Sequence, residues 1–273
     1  MSTEGSSLEM FPILTTTFMS IAVASAFIIG SLISTHIKYS SKLKGDFAGF
    51  AGGIFFAAIA FSLVDEAVKQ HNFFTMMIGF IVGTVIYSIV NHRIRNRSKY
   101  KEQSSKTNKN NNNNDISNIQ VSSSKRKENG SSQTVIVGTI LDSIPETLFV
   151  GVIIAMNLHG LIGAVIALFL GNLTATLNGA KIMLEKGQTK SKILKEWLLD
   201  FAIVSAAGPI GYFLVKPLSG EHFSVIIGFA AGTLMIFISR ELLPQAFQED
   251  TGYKSDISVV LGFLIGLLLF EKL

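Results

Sequence analysis

Two carboxylates lie four residues apart in an otherwise apolar run of the chain, Leu141-Asp142-Ser143-Ile144-Pro145-Glu146-Thr147. A spacing of four residues places Asp142 and Glu146 on one face of a helix. Pro145 has no backbone N–H, so the carbonyl oxygen of Leu141 is predicted to stay free beside Asp142. Two carboxylates and a free carbonyl oxygen together predict a cation site.

The next apolar run carries a second set of oxygen donors, namely Asn172, Thr174, Thr176 and Asn178. Asn172 and Thr176 share a helical face because they are four residues apart. The connecting turn, 157–160, is short enough to make the two helices antiparallel neighbours. Glu146 precedes this turn by 11 residues and Asn172 follows it by 12. At about 1.5 Å per residue both lie roughly 17 Å deep, near the middle of a bilayer.

Ionisable side chains inside a membrane are costly and normally face a cavity or a partner. No Lys or Arg is expected at the depth of Asp142 and Glu146, which favours a bound cation. The alternative is that the two carboxyls share a proton, or bond to neighbouring helices, and only hold the bundle together. A proton is also one of the cations that such a pair can take.

The elements that carry these residues are predicted to be membrane-spanning helices, because the chain is 48% hydrophobic and only 15% charged. A helix needs about 20 mostly apolar residues to cross the hydrocarbon. The sequence contains eight such runs, so we expect an all-α membrane protein. The predicted spans are 13–35, 47–64, 73–91, 134–156, 161–180, 198–215, 223–239 and 257–270.

The basic residues occupy alternate connections between these spans. One set of connections holds 20 of the 23 Lys and Arg residues and the other set holds three. Basic loops remain in the cytoplasm, so the sequence predicts a multi-pass protein of the cell membrane with both termini outside. The net charge of +4 is therefore explained by topology and contact with membrane lipids, and no nucleic-acid partner is expected.

A polar segment, 93–133, separates the third and fourth spans and contains the run Asn110 to Asn114. It cannot bury enough apolar surface to fold alone, so we expect a disordered cytoplasmic loop. The chain then divides into spans one to three (1–92), this loop, spans four and five with the site (134–180), and spans six to eight (181–273).

Similar glycine-rich runs open the second and seventh spans: Gly49-Phe50-Ala51-Gly52-Gly53 and Gly228-Phe229-Ala230-Ala231-Gly232. These spans are predicted to cross the membrane in opposite directions, which is typical of an inverted-repeat transporter. Spans one to three would then mirror spans six to eight, with four and five between them. The alternative is that glycine-rich runs recur wherever membrane helices pack closely.

These motifs resemble those of the ZIP family of divalent-metal transporters over most of the chain. Leu141 to Glu146 is similar to the family's fourth-span motif, which reads Asp-Gly-Ile-Pro-Glu in some branches. Phe169-Leu170-Gly171-Asn172-Leu173 resembles the start of the fifth-span signature Asn-x-Pro-Glu, and the segment 228–244 resembles a seventh-span pattern that ends in Glu-Leu-x-Pro. The resemblance implies a 3+2+3 bundle that moves zinc, iron or a similar ion into the cytoplasm.

Two departures from the family pattern bear on the metal site. Thr174-Ala175 replaces the Pro-Glu of the fifth span, and Gly208-Pro209 replaces the Glu-Pro of the sixth. The resemblance therefore implies metal ligands at Asp142, Glu146 and Asn172, with Ser143 as a weak fourth, and one metal in place of two. We expect a divalent cation as the transported substrate.

The donor set does not fix the metal. The five histidines are predicted at helix ends or in loops, namely His36, His71, His92, His159 and His222. Oxygen donors alone suit manganese, magnesium or calcium better than zinc. Zinc, iron and manganese all stay open, as does a homodimeric assembly.

Two other function classes compete with transport. A non-transporting relative, such as a metal sensor or assembly partner, would tolerate the lost acids. An intramembrane enzyme is disfavoured because it needs a second acid at the same depth. Asp200 does not supply that acid, since we expect it near the start of the sixth span, where a helix N-terminus favours negative charge.

Overall fold

The computed structural model describes residues 3–37, 39–64, 73–110, 132–157, 160–218, 221–249 and 253–272, and within these ranges the chain is helical with no strand. The helices are α1 Thr3–His36, α2 Ser41–Ala58, α3 Phe73–Asn110, α4 Ser132–Ala155, α5 Leu161–Glu185, α6 Lys190–Val215, α7 Glu221–Phe237, α8 Leu243–Glu249 and α9 Tyr253–Lys272. Two π-helical segments continue them: π1, Ile59–Val64, follows α2, and π2, Ile238–Leu242, joins α7 to α8.

Seven of the described helical segments are long and apolar enough to cross a membrane, so the protein is an all-α multi-pass membrane protein. They are Phe11–His36, Lys42–Phe61, Phe73–Val90, Leu161–Glu185, Lys190–Val215, His222–Gln248 and Tyr253–Phe270. The remaining predicted span, 134–156, coincides with α4, a helix of 24 residues. Its second half, Glu146–Ala155, is an apolar helical stretch.

Two helices extend further than the hydrophobic pattern predicts. Helix α3 continues to Asn110, so residues 93–110 are helical, whereas the composition predicted a loop. Extending an existing helix needs no new nucleus, and Arg, Lys, Gln and Glu are good helix formers in water. Residues 111–131 of the predicted loop lie outside the described residues.

Helix α6 begins at Lys190, eight residues before the predicted span. The side chain of Thr189 accepts a hydrogen bond from the backbone N–H of Lys192 and caps this early start. Lys192 and Glu196 then form an ion pair one turn apart, at 3.8 Å. Polar residues therefore form the first turns of α6, and the hydrophobic pattern did not predict a helix there.

Glycines on α3 and α7 let these two helices run side by side. A Cβ atom on Gly79 would overlap the backbone of Val225, and one on Gly228 would overlap the backbone of Met76. Helices α2 and α9 pair in the same way, since Gly53 meets the backbone at Val259. Such close approach of backbones is typical of membrane helix pairs with small residues at the interface.

The two pairs are equivalent in an inverted repeat, because α2 corresponds to α7 and α3 to α9. The structure adds a second matched segment that sequence inspection missed, Ile78-Gly79-Phe80-Ile81-Val82-Gly83 and Leu261-Gly262-Phe263-Leu264-Ile265-Gly266. Both π-helical segments also start at the same point, ten residues after Gly49 in α2 and ten after Gly228 in α7. The helix pairing, the matched segment and the π-helical segments therefore share the symmetry that the glycine motif predicted.

Helices α4 and α5 lie between these halves. Helix α4 packs parallel to α6, where a Cβ on Gly211 would overlap the backbone of Leu148. Helix α5 packs against α1, α2 and α4. Most of its inner face is buried, including Gly171, Asn172 and Thr176. The two helices that carry the predicted donors thus contact each other as well as helices of both halves.

The packing predicts that substitution of two adjacent glycines of α2 differs in its effect on stability. Gly53→Ala should destabilise the protein by about 1–3 kcal/mol, because the new methyl group meets the backbone of α9. Gly52→Ala is the matched control: its nearest neighbours would be side-chain atoms at 3.7 Å. Thermal unfolding in detergent, followed by size-exclusion chromatography, should show a lower melting temperature for Gly53→Ala only. Equal melting temperatures would contradict the α2–α9 contact.

Candidate metal centre

A tight turn brings α4 and α5 together. Asn157 has a φ of 52° and Gly160 a φ of 85°, both in the left-handed region. Asn and Gly are the residues that adopt this conformation most easily, which lets α5 begin at once at Leu161. The hairpin therefore places the second half of α4 beside the first half of α5, as the short connection predicted.

Ser143 on α4 meets Asn172 on α5. The Ser143 hydroxyl donates a hydrogen bond of 2.9 Å to the Asn172 Oδ1 atom, and each residue is only 2% exposed. The prediction that α4 and α5 bring oxygen donors to one depth is confirmed for this pair. Two of the four residues predicted as metal ligands are therefore in direct contact.

Asn172 has more hydrogen-bonding capacity than Ser143 uses. Its amide nitrogen Nδ2 is buried and has no hydrogen-bond partner among the described residues. Thr147, one turn along α4, also buries its hydroxyl without a partner there. Buried polar atoms without partners cost free energy, so this part of the α4–α5 interface is suited to a further polar guest.

Glu146 lies three residues after Ser143 and is 4% exposed. A spacing of three residues keeps it on the same side of α4. The carboxyl group is therefore enclosed within the bundle and does not face lipid headgroups. Asp142 belongs to the α4 helix, but its side chain lies outside the described part of the structure.

The other polar residues of α5 do not join Asn172. Thr174 and Thr176 donate their hydroxyl hydrogens to backbone carbonyls of their own helix, those of Gly171 and Asn172. Asn178 accepts a hydrogen bond from Lys44 of α2. Of the four polar residues that the sequence placed on this wall, Asn172 alone contacts an α4 side chain among the described hydrogen bonds.

Lys44 is a buried basic residue that contacts α5, although not at the depth of Asn172, so the expectation of no Lys or Arg at that depth is not contradicted. Its side chain is 2% exposed, and the Nζ atom lies 3.2 Å from Asn178 Oδ1. Asn178 follows Asn172 by six residues, about 9 Å along the helix. The sequence assigned Lys44 to a connecting loop, and only the packing of α2 against α5 shows that its charge points inward.

The described histidines are exposed. His36 and His222 lie at helix ends, as predicted. His92 lies in the middle of α3, because that helix continues to Asn110, and His71 and His159 lie outside the described residues. Within the described residues no three His, Cys, Asp or Glu side chains come close enough to share a metal ion. A cation at this centre would bind to carboxylate, amide and hydroxyl oxygens.

Asp200 was misplaced by sequence reasoning. It lies ten residues inside α6 and not in the first turn, and its exposed fraction is 0%. The early start of α6 at Lys190 explains the error, because the hydrophobic pattern predicted that the helix begins at residue 198. Asp200 is a deeply buried acid that the predicted metal site does not use.

Comparison with known proteins does not identify a relative. The chain matches no protein-family model, and no curated protein matches it.

The contact between Ser143 and Asn172 can be tested by stability. Ser143→Ala should lower the free energy of unfolding by about 0.5–1.5 kcal/mol, because it removes a buried hydrogen bond. Ser205→Ala on α6 is the matched control: its buried hydroxyl has no partner among the described residues, so its loss should change little. Denaturant titration in detergent micelles measures both. An equal effect of the two substitutions would argue against the contact.

Proposed function

We propose that this chain is a ZIP-like transporter that moves a divalent metal cation into the cytoplasm through an oxygen-donor site on α4 and α5. The observation that carries the proposal is the buried contact between Ser143 and Asn172, with Glu146 enclosed on the same side of α4. These are three of the four residues for which the family resemblance implies a metal-binding role. Asp142 completes the proposed ligand set.

The architecture supports transport in a second way. Inverted-repeat transporters hold their substrate near the membrane midplane between the two halves, and move one part of the bundle against the other. Here α4 and α5 lie between two helix pairs that are related by sequence and by packing. Site residues are 2–4% exposed in this conformation, so a cation reaches them only after the helices move.

The donor chemistry favours a hard or borderline cation. Carboxylate, amide and hydroxyl oxygens suit manganese, and they bind zinc and ferrous iron less selectively than a site with imidazole does. The described histidines, His36, His92 and His222, are all exposed. Zinc, iron and manganese are the proposed substrates, and manganese fits the donors best.

One observation favours a second candidate function. Within the described residues no cluster of three acidic or histidine side chains exists, and the donors are enclosed. A non-transporting relative that keeps the fold as a metal sensor or assembly partner would look the same. The measurement that separates the two is movement of ions across the membrane.

Uptake into proteoliposomes tests transport directly. Wild-type protein should give saturable accumulation of manganese or zinc, reported by a chelating dye trapped inside. Asp142→Asn and Glu146→Gln should each reduce the rate at least about 10-fold, because each removes a charge that a bound cation needs. Glu185→Gln, the same chemical change at an exposed position on α5, is the matched control and should transport normally.

Two results would contradict this function. Uptake that is equal in wild type and in an Asp142→Ala/Glu146→Ala double variant would exclude the α4–α5 site. Binding of metal without saturable uptake in the wild type would favour the non-transporting alternative.

The orientation can be tested because the chain contains no cysteine. Single cysteines at Lys186, between α5 and α6, and at Pro217, after α6, lie at exposed positions on opposite ends of the bundle. A membrane-impermeant maleimide should label Pro217→Cys in intact cells, and Lys186→Cys only after permeabilisation. The reverse pattern would place both termini in the cytoplasm and overturn the proposed topology.

A further inference from the structure

Among the described residues, Asp200 is the most deeply buried acid that the proposed site leaves unused. Its exposed fraction is 0%, and neither carboxylate oxygen has a hydrogen-bond partner among the described residues. A buried carboxylate without a partner is costly, and proteins relieve that cost with a proton, a basic group or a metal ion. Asp200 therefore calls for a partner that the described side chains do not supply.

Glu196 lies one turn before Asp200 on the same face of α6. Its side chain is 24% exposed, and its Oε1 atom is 3.8 Å from the Nζ atom of Lys192. The second oxygen, Oε2, is buried and has no partner among the described residues. Glu196 thus has one oxygen toward the surface and one toward the interior, where Asp200 lies.

Lys192 does not neutralise the inner pair. Its side chain is 60% exposed, and ion pairs at such positions are weak because water screens them. The buried basic residue Lys44 on α2 donates to Asn178 on α5. Inner oxygens of Glu196 and Asp200 can therefore accept a mobile cation without first displacing a buried ion pair.

The position of Asp200 relates it to the α4–α5 site. Gly208 on α6 lies against Gly151 on α4, and counting back eight residues on each parallel helix places Asp200 level with Ser143. The contact between Gly211 and Leu148 places it up to six residues lower, about 9 Å closer to the end of the bundle that carries Lys186. Asp200 therefore lies between the level of Ser143 and a level about 9 Å closer to the end of the bundle that carries Lys186.

The wall around Asp200 comes from the same helices that form the site. Trp197 and Val204 share its buried face on α6. They pack with Ala24 and Phe27 of α1, Ile136 of α4, and Ala180 and Met183 of α5. Asp200 is therefore enclosed by α1, α4 and α5, and does not face lipid.

We propose that Asp200 and Glu196 form a second binding site for a divalent cation, placed between the α4–α5 centre and the basic end of the bundle. The inference extends the proposed transport route and rests on it for its biological meaning. A cation that leaves Glu146 and Asn172 would bind next to Asp200, and then to Glu196, whose partial exposure gives access to water. The site itself is defined by binding, so its test does not depend on transport.

The chain supplies a built-in reporter for this site. Trp197 is the only tryptophan of the chain, and it precedes Asp200 by three residues. It is fully buried, and its ring stacks on that of Phe27 with 5.9 Å between the ring centroids. Paramagnetic manganese quenches tryptophan fluorescence at short range. Titration of the full chain in detergent with Mn²⁺ should give saturable quenching, and equilibrium dialysis should show two Mn²⁺ bound per chain.

Variants separate the two sites. Asp200→Asn should abolish the quenching and leave one Mn²⁺ bound, whereas Asp200→Glu should restore both signals. Glu146→Gln should keep the quenching and lose the other ion. Glu196→Gln changes a partly exposed position and should weaken the quenching several-fold. If Asp200→Asn does not fold, the result for Glu196→Gln tests the second site. Glu185→Gln is the control and should behave as wild type.

Each outcome has a distinct meaning. Quenching that is absent in the wild type, or unchanged in Asp200→Asn and Glu196→Gln, overturns this inference, while uptake that depends on Glu146 would still support the proposed function. Quenching that depends on Asp200, in a protein without saturable uptake, supports the second site and overturns the transport proposal.

Discussion

Water does not solvate the middle of a helical membrane bundle, so a polar side chain there has to find its partner within the protein, on its own helix or on another one. Helix α5 shows how strongly this constraint acts. Asn172 accepts from Ser143 on α4, Asn178 accepts from Lys44 on α2, and the backbone carbonyl of Thr174 accepts from Gln245 on α8. These contacts tie α5 to three other helices at successive depths. The position of α5 therefore follows from the satisfaction of its polar groups as much as from apolar packing.

Glycines determine how closely several pairs of helices pack. Where Gly53, Gly79 and Gly211 meet neighbouring backbones, two helices approach so closely that no side chain fits between them. Such pairs gain dispersion contacts along their whole length. The π-helical segments that begin at Ile59 and Ile238 interrupt the two repeat-related helices at equivalent points. Segments of this kind occur often at functional positions in helices, and here they flank opposite ends of the bundle.

Besides Glu146 at the α4–α5 centre, two charged residues of the described structure, Lys44 and Asp200, are buried inside the bundle. Lys44 contributes a tethered positive charge on α2, while Asp200 contributes a buried acid on α6. In the proposed route a mobile cation leaves Glu146 toward Asp200. An arrangement of acid and base on different helices allows relative movement of those helices to change the field at the centre.

The hydrophobic runs alone predicted the multi-pass architecture and the approximate limits of the spans, because crossing the hydrocarbon requires about 20 apolar residues. The short turn at 157–160 also fixed that α4 and α5 are antiparallel, and counting from it placed Asn172 level with the α4 donors. Tertiary structure alone decided which side chains face inward. Lys44 and Asp200 belonged by sequence to a loop and a helix start, yet both are buried. Contacts between helices far apart in sequence determine that burial, and no local pattern encodes them.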